Sequence, residues 1–565
     1  MASLRDAFTY NTNNVFLICP SSQLNFDAPL LGLQSQPLAG TMRVMKCNHV
    51  LFLFLLLCFP VSACGQVPTA QLPPGQLPTT FDAGRRDQAT GNIVGTSANV
   101  RWAVPIGRWT YATPVITHGK VLIGSTNEAL WDERRPGSRS VLICLDEQTG
   151  ELIWQLALPK DYAVNVMFDA HCVGISSTPT VVGDRIFITT GRGEVLCLDI
   201  FGLAGGNTGP YTDEAFLYTF RGTQRGRVVD RTANVPPLSR TDADIIWRYD
   251  MFAELRAMPH DTNNCDIIYY DGLLIVNTGN APDSSHQRVV TPEAPSLIIM
   301  DAERGIPLAR DNFNIGSDIS HGQWCSPAFG QVDGRNMIFY GGGNGVLHAV
   351  EAPSREALWR KFEANDRELV LLEPIWKFQG DPRAHQPSGG VVPPFVMGVG
   401  SPSYTCLPPP LLDDEGRIFM IFGHDAWNGA RPFRSWLACI DARTGELIWG
   451  TGNIDDGAVA PLAMEDGLLY MADRNGIFYC FDPATGELHW TLQLRGDIWA
   501  RPLIADGKIF VGTDRRMFYV LRAGLEPEII SEIVMPDRIF APTAVSGNTL
   551  FIAGDGFLYA VEGGM

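Results

Sequence analysis

The sequence predicts an all-β fold: an eight-bladed β-propeller of four-stranded antiparallel blades. Three observations carry that expectation. First, a nonapeptide recurs: Asp146-Glu-Gln-Thr-Gly-Glu-Leu-Ile-Trp154 returns as Asp441-Ala-Arg-Thr-Gly-Glu-Leu-Ile-Trp449 and as Asp482-Pro-Ala-Thr-Gly-Glu-Leu-His-Trp490, the last two 41 residues apart. A recurrence of that length marks a blade or a solenoid unit. Second, each period holds four short apolar runs separated by turn residues, the content of one antiparallel blade. Third, one strand-like segment at the front, Val100-Arg-Trp-Ala-Val104, has the character of a fourth strand and no blade of its own.

The unit reads most clearly over residues 459–494. An extended run from Ala460 meets the turn Glu465-Asp-Gly467, and Leu468–Ala472 forms a buried strand. Asp473-Arg-Asn-Gly476 turns the chain into Ile477–Phe481, and Asp482-Pro-Ala-Thr-Gly486 leads to a fourth strand at Leu488-His-Trp490. In that last turn Asp bonds its own backbone and Gly accepts positive φ. The tryptophan is expected to wedge between neighbouring blades, since an aromatic at a repeat position packs before it reacts.

The same grammar runs along the chain. Blade one has Thr113-Pro114, Val121–Gly124, Val141–Leu145 and Trp154; blade two has Thr178-Pro179, Ile186–Thr189, Val195–Leu198 and Trp247. Blade three has Ile267-Ile268, Leu274–Val276, Leu297–Met300 and a degraded turn, Asp301–Gly305. Blade four has Ser326-Pro327, Met337–Tyr340, Val346–Val350 and either Trp359 or Trp376. Blade five has Ile418–Phe422, Trp436–Ile440 and Trp449, and blade six is the unit above. Blade seven has Arg501-Pro502, Ile509–Val511 and Phe518–Leu521; blade eight has Ala541-Pro542, Leu550–Ile552 and Phe557–Val561. Blade eight runs out before its fourth strand, and an unpaired edge is a liability. Val100–Val104 is therefore expected to complete it and close the ring.

The repeats place one propeller domain at 97–565. The formal charge is −18 without basic runs, which excludes phosphate-backbone binding to nucleic acid as a function class. Met42-Arg-Val-Met-Lys46 followed by Leu51–Phe59 reads as a signal peptide over 42–63, with an apolar run too short to span a bilayer. Val61-Ser-Ala-Cys64 resembles a bacterial lipobox, so Cys64 is a candidate for lipidation, with plain cleavage after Ala63 as the rival. Residues 1–41 read as an upstream extension outside the native start at Met42, and 64–96 as a Pro-rich flexible tether. The expected address is the periplasm or cell envelope, with membrane contact through a lipid anchor only and a monomeric state.

Cys144, Cys197, Cys439 and Cys480 share one repeat position in third strands and read as small buried hydrophobes. Cys172, Cys265, Cys325 and Cys406 open first strands near the axis. No Cys-x-x-Cys is present, which argues against a zinc site. A disulfide is compatible with export but has no assignable partners.

The unit "Ser/Thr-Pro … Gly-x-Φ-Phe-Φ … Gly-x-Φ-Φ-Cys/Ala-Φ-Asp-x-x-Thr-Gly-Glu-x-x-Trp", with Φ apolar, resembles the pyrroloquinoline quinone (PQQ) repeat over 97–565. That repeat is shared by quinoprotein alcohol dehydrogenases and by the BamB lipoprotein of outer-membrane assembly. Thr278–Pro282, His321-Gly-Gln-Trp324 and Gly341–Gly345 are also similar to an exported PQQ-like branch common in planctomycetes. In the dehydrogenases a Thr-Gly-Asn supplies an oxygen to the calcium under PQQ, so the resemblance implies Asn280 as a metal ligand; a plain turn is the rival reading. Their adjacent cysteine pair is missing here, their glutamate ligand has no assignable counterpart, and Asp318 is a loose candidate for their catalytic aspartate.

The insertions pick out one face. Loops between second and third strands are long at 125–140, 277–295 and 423–435, and loops between blades are long at 160–172, 252–265, 311–324 and 381–404. Both kinds open on the same face, where binding on a repeat scaffold gathers. They carry His171, His260, His321, Trp324, His424 and Trp427 as candidate ligand contacts. Three of these histidines sit just before first strands and either converge near the axis or cap local turns. Arg501 stands where other blades hold a small residue before proline; it either meets an anionic ligand in the channel or pairs with Asp497. The insertions 201–244 and 352–374 fall on the opposite face. Three functions stay open: a scaffold binding envelope proteins or a small ligand on the long-loop face; a PQQ- and calcium-dependent alcohol or sugar dehydrogenase; and metal-assisted hydrolysis at the histidines.

Overall fold

Alternating apolar runs of three to eight residues, cut by Asp-Gly and Asn-Gly turns, fold into eight antiparallel sheets set around a ring. A computed structural model describes residues 75–160, 173–218, 221–224, 227–230, 237–260, 263, 265–283, 288–319, 321–386, 404–423, 435–454 and 457–564. The predicted leader, Cys64, His171, His424 and Trp427 lie outside the described residues. Among the described residues no helix is long and apolar enough to cross a membrane.

Seven blades pair their four strands in chain order, and blade eight takes its fourth from the front of the chain. Blade three gains a fifth strand: Val370–Leu372, from blade four's insertion, pairs in parallel with Ile306–Asp311. Blade five splits its inner strand into Thr405–Cys406 and Leu411–Leu412, both on Arg417–Gly423. Closure is as expected: Val100–Pro105 pairs with Phe557–Glu562, setting Val100 against Val561, Trp102 against Ala560 and Val104 against Leu558.

The core lies between blades. Eight buried apolar clusters are seen among the described residues, each shared by two neighbouring blades. A tryptophan latch bridges six of the eight seams. From the fourth strand of one blade its indole N–H donates to a carbonyl in the next blade's turn: Trp102 to Glu147 at 3.1 Å, Trp154 to Ile200 at 2.9 Å, Trp247 to Ala302 at 3.0 Å. Trp376 reaches Ala442 at 3.1 Å, Trp449 Pro483 at 3.0 Å, and Trp490 Gly524 at 3.0 Å. Blade four's latch is therefore Trp376; Trp359 sits on the inserted helix Arg355–Ala364.

The Thr-Gly turn now has two causes. Asp146 Oδ1 accepts from the Gln148 and Thr149 N–H groups at 2.9 Å each, and Asp482 does the same at 2.9 and 2.8 Å. These donors hold both carboxyls below the usual aspartate range. The glycine takes φ of +74° at Gly486, and a Cβ there would stand 2.5 Å from the Trp449 ring. Gly305 meets Trp247 in the same way, at 2.5 Å.

Register also explains the cysteines. Cys144, Cys197, Cys439 and Cys480 lie directly across the strand pair from Trp154, Trp247, Trp449 and Trp490. Ala349 and Ala560 do the same for Trp376 and Trp102. A small side chain is needed beside an indole. Where the indole is replaced the partner grows: Ile299 faces Ala309 in blade three, and Val520 faces Ser531 in blade seven. All described cysteines are reduced and buried.

The seams after blades three and seven have no latch tryptophan, and additional chain fills both. Leu358 and Phe362 of the inserted helix join the cluster between blades three and four. Leu77, Phe81 and Ala83 join the one between blades seven and eight. The reading of 64–96 as a free tether is thus corrected from residue 75 onward. Leu77 is 3% exposed, its N–H donates to Asp506 at 3.0 Å, and Arg85–Arg86 pairs with Ile93–Val94. Apolar side chains at 77, 81 and 83 outweigh the Pro-Gln-Thr composition around them.

Candidate functional site on the long-loop face

First strands start at the axis, so the residue just ahead of each inner strand points at the channel. There a chain of hydrogen bonds links four consecutive blades. Thr113 N–H donates to the Thr178 hydroxyl at 3.3 Å, Thr178 N–H to Asp266 Oδ1 at 2.7 Å, and Asp266 N–H to the Ser326 hydroxyl at 3.0 Å. Burial pushes the Asp266 carboxyl up, against the pull of the Thr178 donors and of Arg501. Arg501 opens blade seven, four blades from Asp266, so its charge acts across the axis. Asp497, the partner weighed for Arg501 from sequence, lies 3.7 Å from Arg474.

Over blades three and four the three sequence segments singled out above pack on one another. The His260 and His321 rings stand 4.7 Å apart edge to face, and His321 meets Trp324 at 4.9 Å. His260 Nδ1 lies 2.8 Å from the Pro282 carbonyl, which only accepts, so Nδ1 carries the proton. Gln323 fixes the loop: its Nε2 donates to the Asn280 carbonyl at 2.5 Å and to Ser296 Oγ at 2.9 Å, while its Oε1 accepts from Tyr340 at 2.9 Å. Gly343 belongs here too, since a Cβ would stand 2.7 Å from the Gly322 carbonyl.

The donors implied for a calcium and PQQ site do not gather. Asn280 is fully buried; its Oδ1 accepts from Met258 N–H at 3.0 Å, and its Nδ2 donates to Thr291 O at 3.0 Å. That pattern ties two loops together and directs the carboxamide inward. Asp318 is exposed, at the end of the turn Ile315–Asp318. Among the described residues no group of three or more His, Cys, Asp or Glu side chains is placed to hold a metal. These donors do not fit the group.

A second cluster, built around Tyr111 and Trp499, was missed in the sequence. Tyr111, Trp324 and Trp499 each stand three residues ahead of the proline that opens a first strand, in blades one, four and seven. Tyr111 lies 6.4 Å from Trp499 and 5.7 Å from Phe540, and Phe540 stacks on Trp109 at 5.7 Å. The Arg474 guanidinium lies over Trp499 at 5.2 Å and Arg538 over Trp109 at 4.7 Å. The signal was present as aromatic-x-x-Pro, but reading the repeat for its shared residues hides positions that vary.

The face is braced by a buried carboxylate. Glu194, in blade two, is 1% exposed and accepts from Arg192 at 2.8 Å, Arg248 at 2.6 Å and Thr190 at 3.0 Å. Burial raises its carboxyl, yet the two guanidiniums win and hold it below the glutamate range. Its stabilisation is full above the unfolded value of about 4.3 and is lost as pH falls through the lower folded value. Glu194→Gln is expected to destabilise the protein by about 3 kcal/mol at pH 7, from a buried pair broken on one side. In urea unfolding the gap between variant and wild type should close in acid; a gap independent of pH would refute the assignment.

With this geometry in place, the family described as outer membrane protein assembly factor BamB matches residues 434–524. That match runs from the third strand of blade five, through blade six, to the third strand of blade seven. Among solved structures, the propeller is similar to a europium-containing methanol dehydrogenase, at 13% identity and a TM-score of 0.50, covering 81% of this chain and 85% of that one. BamB from Moraxella catarrhalis aligns at 13% identity and a TM-score of 0.45, covering 82% and 96%. A quinohemoprotein alcohol dehydrogenase from Pseudomonas putida aligns at 13% and 0.49, covering 82% and 76%. These are likenesses of fold. No curated protein matches the chain in sequence.

Proposed function

We propose that this PQQ-like propeller is an exported, non-catalytic scaffold of the cell envelope that binds a small ligand or an envelope protein on its long-loop face. The observation that carries this reading is the clustering of aromatic, histidine and arginine side chains on that face. Rigid aromatic bodies and guanidiniums at the mouth of a channel suit recognition. The dehydrogenase reading lacks a donor set, because the Asn280 carboxamide is spent on Met258 and Thr291. A lipid anchor at Cys64 and a signal at 42–63 belong to the same proposal. The test is metal and cofactor analysis of the protein as isolated, followed by reconstitution with PQQ and calcium. We expect no bound chromophore and no dye-coupled alcohol oxidation, and recovery of an envelope partner by pull-down. Turnover in the reconstituted protein would overturn the reading.

A further inference from the structure

An open cavity of about 1030 Å³ lies on the long-loop face over blades seven and eight. Six arginines line it: Arg86, Arg108, Arg495, Arg515, Arg516 and Arg538. Four carboxylates oppose them: Glu128, Asp514, Asp537 and Asp555. A surplus of positive charge is thus concentrated in a chain of formal charge −18. The ion pairs leave part of it uncommitted. Arg86 pairs with Asp537 at 2.7 Å and Arg538 with Asp555 at 2.5 Å. Arg108 and Arg515 only approach carboxylates, at 4.0 and 3.8 Å. The Arg495 and Arg516 guanidiniums make no ion pair within 4.0 Å among the described residues. Asp537 Oδ2 is buried without a hydrogen-bond partner, and burial pushes that carboxyl up, against the pull of Arg86 and Arg516.

Backbone strain supplies an independent observation. The turn between second and third strands takes a left-handed residue: Gly193 at φ +76° in blade two, Gly345 at +77° in blade four and Gly476 at +77° in blade six. Blade seven holds Arg516 there, at φ +61°. A non-glycine residue is strained in that conformation, and strain of this kind collects at binding sites. The arginine is kept where the repeat's own solution is glycine, and its side chain lines the cavity.

We propose that this arginine-walled cavity binds a small polyanion through carboxylate or phosphate groups. Guanidiniums grip both kinds of oxyanion in paired hydrogen bonds. Arg538, held over the Trp109 and Phe540 rings at 4.7 and 5.1 Å, is already oriented. The proposal rests on the reading of the long-loop face as the binding face and names the ligand's chemistry; it needs no protein partner.

The test is calorimetric titration of the full chain with tripolyphosphate and with trigalacturonate, using maltotriose as the neutral control. One of the two anions is expected to bind, with affinity falling as salt is raised, and the arm that responds assigns phosphate or carboxylate. Arg495→Gln combined with Arg516→Gly should weaken binding by roughly tenfold to a hundredfold. Arg335→Gln, in blade four's turn on the other face, should leave affinity unchanged. Arg516→Gly alone should raise the melting temperature while weakening binding, which separates lost binding from lost folding. No heat from either anion at millimolar concentration, equal loss in Arg335→Gln, or a lowered melting temperature in Arg516→Gly would each overturn the proposal. None of these results bears on cofactor content or partner recovery, so failure here leaves the scaffold reading to its own test.

Discussion

Deletion of residues 97–105 is expected to unlatch the ring and destabilise the domain by more than about 5 kcal/mol. The deletion removes a complete fourth strand, so Phe557–Glu562 becomes an open edge. It also removes Trp102, which is 9% exposed and bonded to Glu147 of blade one, and with it the fourth strand that joins the chain's end to its beginning. Loss of an indole from such a site is worth about 3–5 kcal/mol by itself. The freed edge should also pair between molecules, giving dimers or aggregates in size-exclusion chromatography. An unchanged urea midpoint together with an unchanged elution volume would rule out closure by this strand.

Trp154→Ala is expected to destabilise by about 3–5 kcal/mol. Trp154 is fully buried and its N–H satisfies the Ile200 carbonyl. The ring offers its own repair. Blades three and seven manage without an indole by enlarging the opposite residue, Ile299 against Ala309 and Val520 against Ser531. Cys144→Ile alone should destabilise, since it crowds the Trp154 ring. Combined with Trp154→Ala it should recover at least about 1 kcal/mol of the single variant's loss, a coupling readable in a double-mutant cycle. Strict additivity would show that the size exchange across this strand pair is incidental.

Blade count and turn chemistry were legible because they repeat, and closure because the repeat leaves blade eight one strand short. A residue that serves several blades recurs, as Asp146, Gly150 and Trp154 do in Asp441, Gly445 and Trp449 and in Asp482, Gly486 and Trp490. Features that occur once leave no such trace. The docking of 75–96 depends on three apolar side chains inside a Pro- and Gln-rich stretch, so its composition suggested a tether. The cysteine position read correctly as packing, but its reason, the indole across the strand pair, needed the register. At the candidate site, His260, His321 and Trp324 were named from their place in the loops and do come together. Asn280 was named from resemblance, and sequence says nothing of which way a carboxamide turns. Arg516 went unnoticed because an arginine in a turn looks ordinary until its φ is known.

The distribution of indole latches divides the ring. Three join blades four through seven, and three join blades eight, one, two and three. The two seams without them lie diametrically opposite, so the latches form two equal arcs. Each seam between the arcs is filled by a borrowed segment rather than by the repeat itself. The arginine cavity spans one of them, with Arg495 and Arg516 on one arc and Arg108 on the other, so an anion seated between them would act as a clasp between the two halves.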